Sequence, residues 1–331
     1  MYLKQMKKPI LLCLVMGLCT LAVTGCSKKS ESGNETKKES VIETQEASET
    51  ESIAETDETE SGTKFEKVWG HKDIINILLI GQDRRTDDEI GRSDSMIIAT
   101  LNRTEKSLTL TSLMRDTYLG IPGYGGNRLN AAYAFGGAEL LDAAIEHNFG
   151  VTIDGNVEVD FLSFTKIVDD LGGVDIELTE EELAVLNGNI RDINYQTGED
   201  EESHLVNSAG VYHLDGTQAL AYARIRHVGN ADFERTKRQR TVLKELFKNV
   251  KNLSVIEIMS TVNNVLSYAE TDMSYGDLVS LTIEAISMAV TDIDTHNIPE
   301  DVGYESQSID GMDVLVPDLD ACRRFLSEIT N

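Results

Sequence analysis

The chain has 331 residues, enough for one large domain or two small ones, and its 40% hydrophobic and 26% charged residues suit an ordinary globular protein with ample material for a core. With 57 Asp and Glu against 30 Lys and Arg the formal net charge is −27, which argues against nonspecific nucleic-acid binding, since that needs basic surface to displace counterions. The four cysteines form no CxxC pair, so neither a thiol metal centre nor a disulfide framework is expected.

Lys4, Lys7 and Lys8 precede an apolar stretch over 10–23 that is interrupted by Gly17, Cys19 and Thr20 and is short for a bilayer span of about 20 residues. This is a secretory signal pattern. It ends Leu21-Ala22-Val23-Thr24-Gly25-Cys26, and small residues directly before a cysteine resemble a bacterial lipobox. That resemblance implies a cleaved signal peptide over 1–25, lipidation of Cys26, and a chain held by its lipid anchor at the extracytoplasmic face of the bacterial membrane. An uncleaved signal anchor is the alternative. Residues 26–68 are Ser, Glu, Thr and Lys with almost nothing to bury, an acidic disordered linker that as a flexible chain would span roughly 35 Å.

The remainder, 69–331, reads as one domain with strands interspersed among helices. The apolar run 74–80 reads as a buried strand, and 95–101 with 107–113 as a hairpin across the polar turn 102–106. A helix is expected over 138–149, stopped by Gly150, then a short strand at 157–159, a helix over 161–171 stopped by Gly172-Gly173, and a strand at 174–178. The polar, Gly-punctuated segment 187–207 reads as a loop. Helical patterns follow at 216–224, 233–250, 255–269 and 277–290, then a strand at 314–316 and a helix at 319–329. The expected class is α/β, a layered α-β-α domain around a central mixed sheet.

No P-loop, HExxH, GxSxG or dinucleotide fingerprint is present, the glycines of Gly123-Tyr124-Gly125-Gly126 read as a turn, and His227 reads as a surface or packing residue. Arginine carries the signal. Arg224 and Arg226 alternate at extended spacing; Asp232 is a candidate N-cap that would place Arg235 in the first helical turn, with Gln239 four residues on and on the same face. Guanidinium forks match phosphate oxygens, and helix N-termini add backbone donors, although a solvent-exposed charged helix would look alike. A second cluster comprises Asp83, Arg84 and Arg85 after the first strand, Arg92 and Asp94 before the second, and Arg115-Asp116 after the third. Ligands gather at the carboxyl ends of strands in α/β sheets, and Asp83 with Asp94 could hold Mg²⁺, although each Asp alone could be a turn or cap residue.

These segments also carry a resemblance. Asn76-Ile77-Leu78-Leu79-Ile80-Gly81-Gln82-Asp83, Arg92-Ser93-Asp94, Arg115-Asp116-Thr117-Tyr118 and Arg128-Leu129-Asn130-Ala131-Ala132-Tyr133 resemble the motifs of the LytR–CpsA–Psr family. So do Leu171-Gly172-Gly173-Val174-Asp175, Ala221-Tyr222-Ala223-Arg224-Ile225-Arg226, and Asp232-Phe233 with Arg235 and Arg238-Gln239. The likeness runs over about 74–250, with 251–331 as a less specific helical extension. It implies an α/β fold with a hydrophobic lipid pocket, and transfer of a glycopolymer such as teichoic acid or capsule from a polyprenyl pyrophosphate carrier to peptidoglycan. It further implies Mg²⁺ (or Mn²⁺) on Asp83 and Asp94, with Arg92, Arg115, Arg224, Arg226, Arg235 and Gln239 on the pyrophosphate; Asp83, Asp94 and Arg115 are the catalytic candidates. Met114 stands where the family usually has proline, and Arg128 where lysine is common. Most relatives are anchored by a transmembrane helix. A pyrophosphatase using the same site, or a non-catalytic binder of lipid intermediates, are the rival readings.

Overall fold

The structure is a computed structural model that describes residues 72–82, 91–290 and 292–331. The expected signal peptide, linker and lipidated Cys26, and the candidate ligand Asp83, lie outside the described residues. The chain opens with strands β1 (Ile74–Gln82), β2 (Ser93–Asn102) and β3 (Ser107–Leu113), then a small hairpin, β4 (Tyr118–Ile121) and β5 (Gly125–Arg128). Next come α1 (Leu129–Phe149), β6 (Gly155–Asp160), α2 (Phe161–Asp170), β7 (Val174–Leu178), α3 (Glu180–Thr197), β8 (Gly210–Leu214) and α4 (Gly216–Ala223). The last third holds α5 (Ala231–Val250), α6 (Val255–Val265), β9 (Glu270–Thr271), α7 (Tyr275–Ser287), β10 (Asp294–Ile298), the hairpin β11 (Tyr304–Ile309) and β12 (Met312–Pro317), and α8 (Leu319–Thr330). None of the described helices is long and apolar enough to cross a membrane.

Six strands form a mixed sheet in the order β10-β3-β2-β1-β6-β9, with β1–β6 and β3–β10 parallel and the other pairs antiparallel. Side chains alternate across a strand, so each apolar strand feeds two layers. Leu78, Ile80, Met96 and Ile98 face α1 and α8 (Leu141, Ile145, Cys322, Leu326), whereas Leu79 and Ile97 face Leu243 and Phe247 of α5. The expected α-β-α layering with a mixed sheet is what forms. Each fully buried Leu or Ile in these layers contributes about 1.5–3 kcal/mol.

The helix expected from 138 is the second half of α1: Gly136 and Gly137 break the helix, Gly137 at φ 65, ψ −159, a conformation that glycine alone adopts readily. Gly150 caps it in the left-handed region, as expected. The glycines of 123–126 do make a turn, that of the β4–β5 hairpin.

The expected loop over 187–207 is a correction. Most of it is α3, which runs Glu180–Thr197. Leu186, Ile190 and Ile193 sit at helical spacing on its buried face, and Thr179 with Glu182 forms a capping box. The polar residues that suggested a loop tie neighbouring segments down instead: the side-chain amides of Asn187, Asn189 and Asn194 donate to the carbonyls of Val206, Ala221 and Ser203. β8 and the β11–β12 hairpin were also not expected over their full lengths; both are short, largely exposed strands with weak hydrophobic patterning.

Glu182 joins α3 to α5. Besides capping, its carboxylate accepts from Arg238 Nε at 2.9 Å, and both side chains are buried. Burial pushes the Glu182 carboxyl up, but the Thr179 backbone N–H and the Arg238 guanidinium outweigh it and leave the pKa below the ordinary value. The stability this pair contributes is therefore present above the ordinary 4.5 and lost as pH falls through the depressed value. Glu182→Ala strands a buried guanidinium, and urea denaturation at neutral pH is expected to show a loss of about 3–5 kcal/mol, the gap to wild type narrowing in acid.

Candidate functional site

The site forms where β1 and β3 end. Ser95 pairs with Gly81 near the end of β1, which puts Asp94 at the carboxyl edge of the parallel β1–β6 pair. Arg115 lies in the short link between β3 and β4, and Arg226 follows α4 after Arg224, the residue that caps that helix. Asp232, Arg235 and Gln239 lie three and four residues apart on α5 and so share a face.

These segments meet around two carboxylates. Arg115 Nη1 stands 2.7 Å from Asp94 Oδ1, and Arg115 Nη2 3.1 Å from Asp232 Oδ2. Arg226 reaches the same two residues, 3.4 Å from Asp94 and 3.8 Å from Asp232. Arg235 Nη2 lies 3.6 Å from Asp232 and donates to the Asp94 carbonyl at 3.4 Å. The Ser95 hydroxyl donates to Gln239 Oε1 at 3.1 Å, fixing that amide beside the cluster. Asp116 adds a carboxylate at the margin, 3.4 Å from both Arg115 and Arg128.

Three guanidiniums share the carboxylates of Asp94 and Asp232, with Asp116 and Arg128 a further opposite-charge pair at the margin, so the cluster carries a surplus of positive charge; its most buried member is Arg235. Only 2% exposed, its guanidinium has a pKa pushed down to about 10 by burial, with Asp232 opposing and Arg115 reinforcing the drop. Its Nε has no hydrogen-bond partner among the described residues. Arg115 goes the other way: burial works against its charge, but the hydrogen bond it donates to Asp94 and the charges of Asp94, Asp232 and Asp116 raise its pKa. Such a surplus, with an unpaired buried donor, is built to receive an anion.

An apolar cavity opens beside this cluster. Leu79, Ile97, Val157, Phe164 and Leu246 are among its walls, Arg224 and Gln239 line it, and it encloses about 970 Å³ of empty space counting its mouth. The Arg224 guanidinium lies over the Phe161 ring at 5.2 Å, so it bridges oily and charged regions. Val157 and Val265 also line a second apolar hollow walled by Leu253, Ile258, Val262 and Leu278 of the α6–α7 region.

The LytR_cpsA_psr family model matches residues 39–330, most of the chain. The chain belongs to the LytR_cpsA_psr family. Among its relatives is the polyisoprenyl-teichoic acid–peptidoglycan teichoic acid transferase TagU of Enterococcus faecalis, 33% identical over 70% of this chain and 73% of that protein. The regulatory protein MsrR of Staphylococcus aureus is 28% identical over 70% of this chain and 66% of its own length. The solved structure of the LytR-CPS2A-psr family protein YwtF (TagT) with bound octaprenyl pyrophosphate superposes with a TM-score of 0.60 at 23% identity, covering 81% of this chain and 94% of that one, and shares its fold.

Of the residues that this family's motifs single out, Asp94, Arg115, Arg226, Arg235 and Gln239 come together, and Arg224 lies at the cavity wall. Arg92 is exposed just before β2 and makes no ion pair with the cluster among the described residues. Asp232 is not an N-cap: α5 starts earlier, with Asn230 at the cap position, so Asp232 enters the first turn and its carboxylate is free to pair with three arginines. Arg235 accordingly lies beyond the first turn. Asp232 is the site residue that sequence reasoning assigned to the wrong task; its place in the Asp232-Phe233 motif beside Arg235 was the available signal. Among the described residues no group of three His, Cys, Asp or Glu side chains is placed to hold a metal ion. The donor chemistry still suits magnesium, which commonly takes one or two carboxylates together with substrate phosphates. Asp94 is one such carboxylate, and here its two oxygens face Arg115 and Arg226.

Removing Asp232 should expose the surplus. Asp232→Ala is expected to lower stability by about 2 kcal/mol, between the exposed and buried limits for an ion pair. Thermal denaturation should show inorganic phosphate recovering this loss more strongly than it stabilises wild type.

Proposed function

We propose that this chain transfers a glycopolymer of the teichoic acid or capsule type from a polyprenyl pyrophosphate carrier to peptidoglycan. The observation that carries the reading is the adjacency of the Arg115–Arg226–Arg235 cluster to an apolar cavity lined by Arg224 and Gln239, which suits a ligand with a doubly phosphorylated head and a long hydrocarbon tail. The relative TagU is named for such a transfer, and TagT is known with octaprenyl pyrophosphate bound.

In this reaction an acceptor hydroxyl forms a P–O bond to the glycan-bearing phosphorus as the bond to the bridging oxygen breaks. Polyprenyl phosphate leaves and the hydroxyl proton passes to solvent. Phosphoryl transfer needs positioning and charge stabilisation more than covalent chemistry. Arg115 and Arg226, fixed by Asp94 and Asp232, are held ready for the phosphate oxygens, and Arg235 supplies a buried charge behind them. Arg224 and Gln239 place the head at the cavity mouth. Magnesium or manganese on Asp94 and Asp83 would neutralise charge on those oxygens when bound.

The full-length chain in detergent, given lipid-linked glycan and peptidoglycan, is expected to form a phosphodiester product, and Arg115→Ala or Arg226→Ala to lose about 100-fold or more in rate. Full activity in either variant overturns these roles. Glycan phosphate released to water whether or not acceptor is present identifies a pyrophosphatase instead.

The opening segment fits this substrate, since a lipid anchor on Cys26 at the extracytoplasmic face would confine enzyme and carrier to one membrane surface and raise their local concentration. Radiolabelled fatty acid should enter the wild-type protein in cells and not Cys26→Ala. Label retained by the variant rejects the anchor.

A further inference from the structure

A third hollow meets the charged cluster from another side. It lies between the start of α5 and the β11–β12 hairpin, with about 930 Å³ of empty space counting its open side, and shares no lining residue with the apolar cavity. Ser95, Arg224 and Gln239 face the apolar cavity, whereas Asp116 and Asp232 face this groove. Its outer wall is the exposed strand β11, where Ser306 and Ser308 present hydroxyls on one face, while the amide of Gln307 between them donates to Glu305. Phe233 adds an aromatic face.

The wall is fastened to the cluster. The Leu315 N–H donates to the Asp116 carbonyl at 3.0 Å, Arg128 Nη2 donates to the Asp313 carbonyl at 2.7 Å, and the Phe233 and Tyr304 rings meet at 5.5 Å. The groove is thus a pre-formed feature that moves with the site, not a gap beside a loose loop.

We infer that this groove holds the acceptor, as an uncharged amino-sugar chain, with one hydroxyl presented over Asp116 and Asp232 to the phosphate site. Three considerations converge. The lining carries three aspartates (116, 232 and 313) and no Lys or Arg of its own; Asp116 and Asp232 are paired with the arginines of the cluster, so the outer wall, with the exposed Asp313 and the β11 hydroxyls, is the part that disfavours a phosphate-rich polymer. Hydroxyls, carboxylates and one aromatic face are the groups that hold a saccharide, through hydrogen bonds to its hydroxyl and acetamido groups and packing against its apolar face. In-line displacement requires the attacking oxygen to enter opposite the leaving group. The groove reaches the cluster through residues that the apolar cavity does not share, so an oxygen entering from it does not cross the space assigned to the carrier tail. The inference rests on the transferase reading for the word acceptor, but saccharide binding can be measured without turnover.

The experiment titrates an uncharged N-acetylglucosamine tetramer into the full-length chain in detergent by calorimetry, beside a separate titration with polyprenyl pyrophosphate. Wild type is expected to bind both. Ser308→Trp, which fills the groove from an exposed strand position, should weaken the tetramer about tenfold or more and leave the lipid unchanged; Ser306→Arg should let a soluble glycerol-phosphate polymer compete for the tetramer, which it does not do in wild type. Unaltered tetramer affinity in Ser308→Trp, no tetramer affinity in wild type, or displacement of the tetramer from wild type by the polymer each overturns the groove. Groove-dependent tetramer binding in a protein that forms no phosphodiester product keeps the saccharide site and removes the transferase reading, so the two failures are distinct.

Discussion

Guanidinium groups held side by side repel one another, and the arrangement of this fold follows from keeping three of them within reach of two carboxylates. Asp94 and Asp232 are too few to neutralise Arg115, Arg226 and Arg235, and they come from strands and helices far apart in sequence. Neither carboxylate could hold its position if the elements carrying it shifted. The order of the cluster is therefore borrowed from the rigidity of the layers beneath it.

Helix α5 supplies most of that rigidity, and it divides its faces among several tasks. Arg235 and Gln239 point to the cluster, while Arg238 is locked to Glu182 of α3 and Arg240 to the Ser112 hydroxyl of β3 at 2.6 Å. One turn further, Leu243 and Leu246 line the apolar cavity, and Phe247 packs with the sheet layer. The ligand-facing side of a single helix thus begins charged and ends oily, the order of head and tail in the proposed lipid pyrophosphate. Buried arginines on either side of the ligand-facing pair stop the helix from rotating and presenting the wrong ones.

The layered class was legible because the strands that matter are long and apolar: 74–80 and 107–113 announce themselves by pattern alone. The convergence of Asp94, Arg115, Arg226, Arg235 and Gln239 was legible through residue type, since arginine is scarce in so acidic a chain, and through the resemblance in motif order. Asp232 was misassigned because an acid just ahead of a helical pattern suits a cap and an ion pair equally, and only the position of Asn230 decides between them. Helix α3 was hidden by its asparagines, whose role of holding carbonyls of other segments depends on tertiary contacts that no local pattern contains. The groove wall at β11 was invisible for the same reason: a polar exposed strand acquires meaning only from what it stands beside.

The walls of the apolar cavity are not equally firm. On the sheet side they are strands knitted into a six-stranded ladder, but the far hollow is bounded by α6 and α7, whose own cluster contains only Ile258, Val262 and Val279 as buried side chains. Regions with few buried contacts open locally at low free energy while the rest of the molecule stays native. The hydrocarbon tail of the proposed carrier would then enter by a brief parting of this helical pair, leaving the charged end undisturbed.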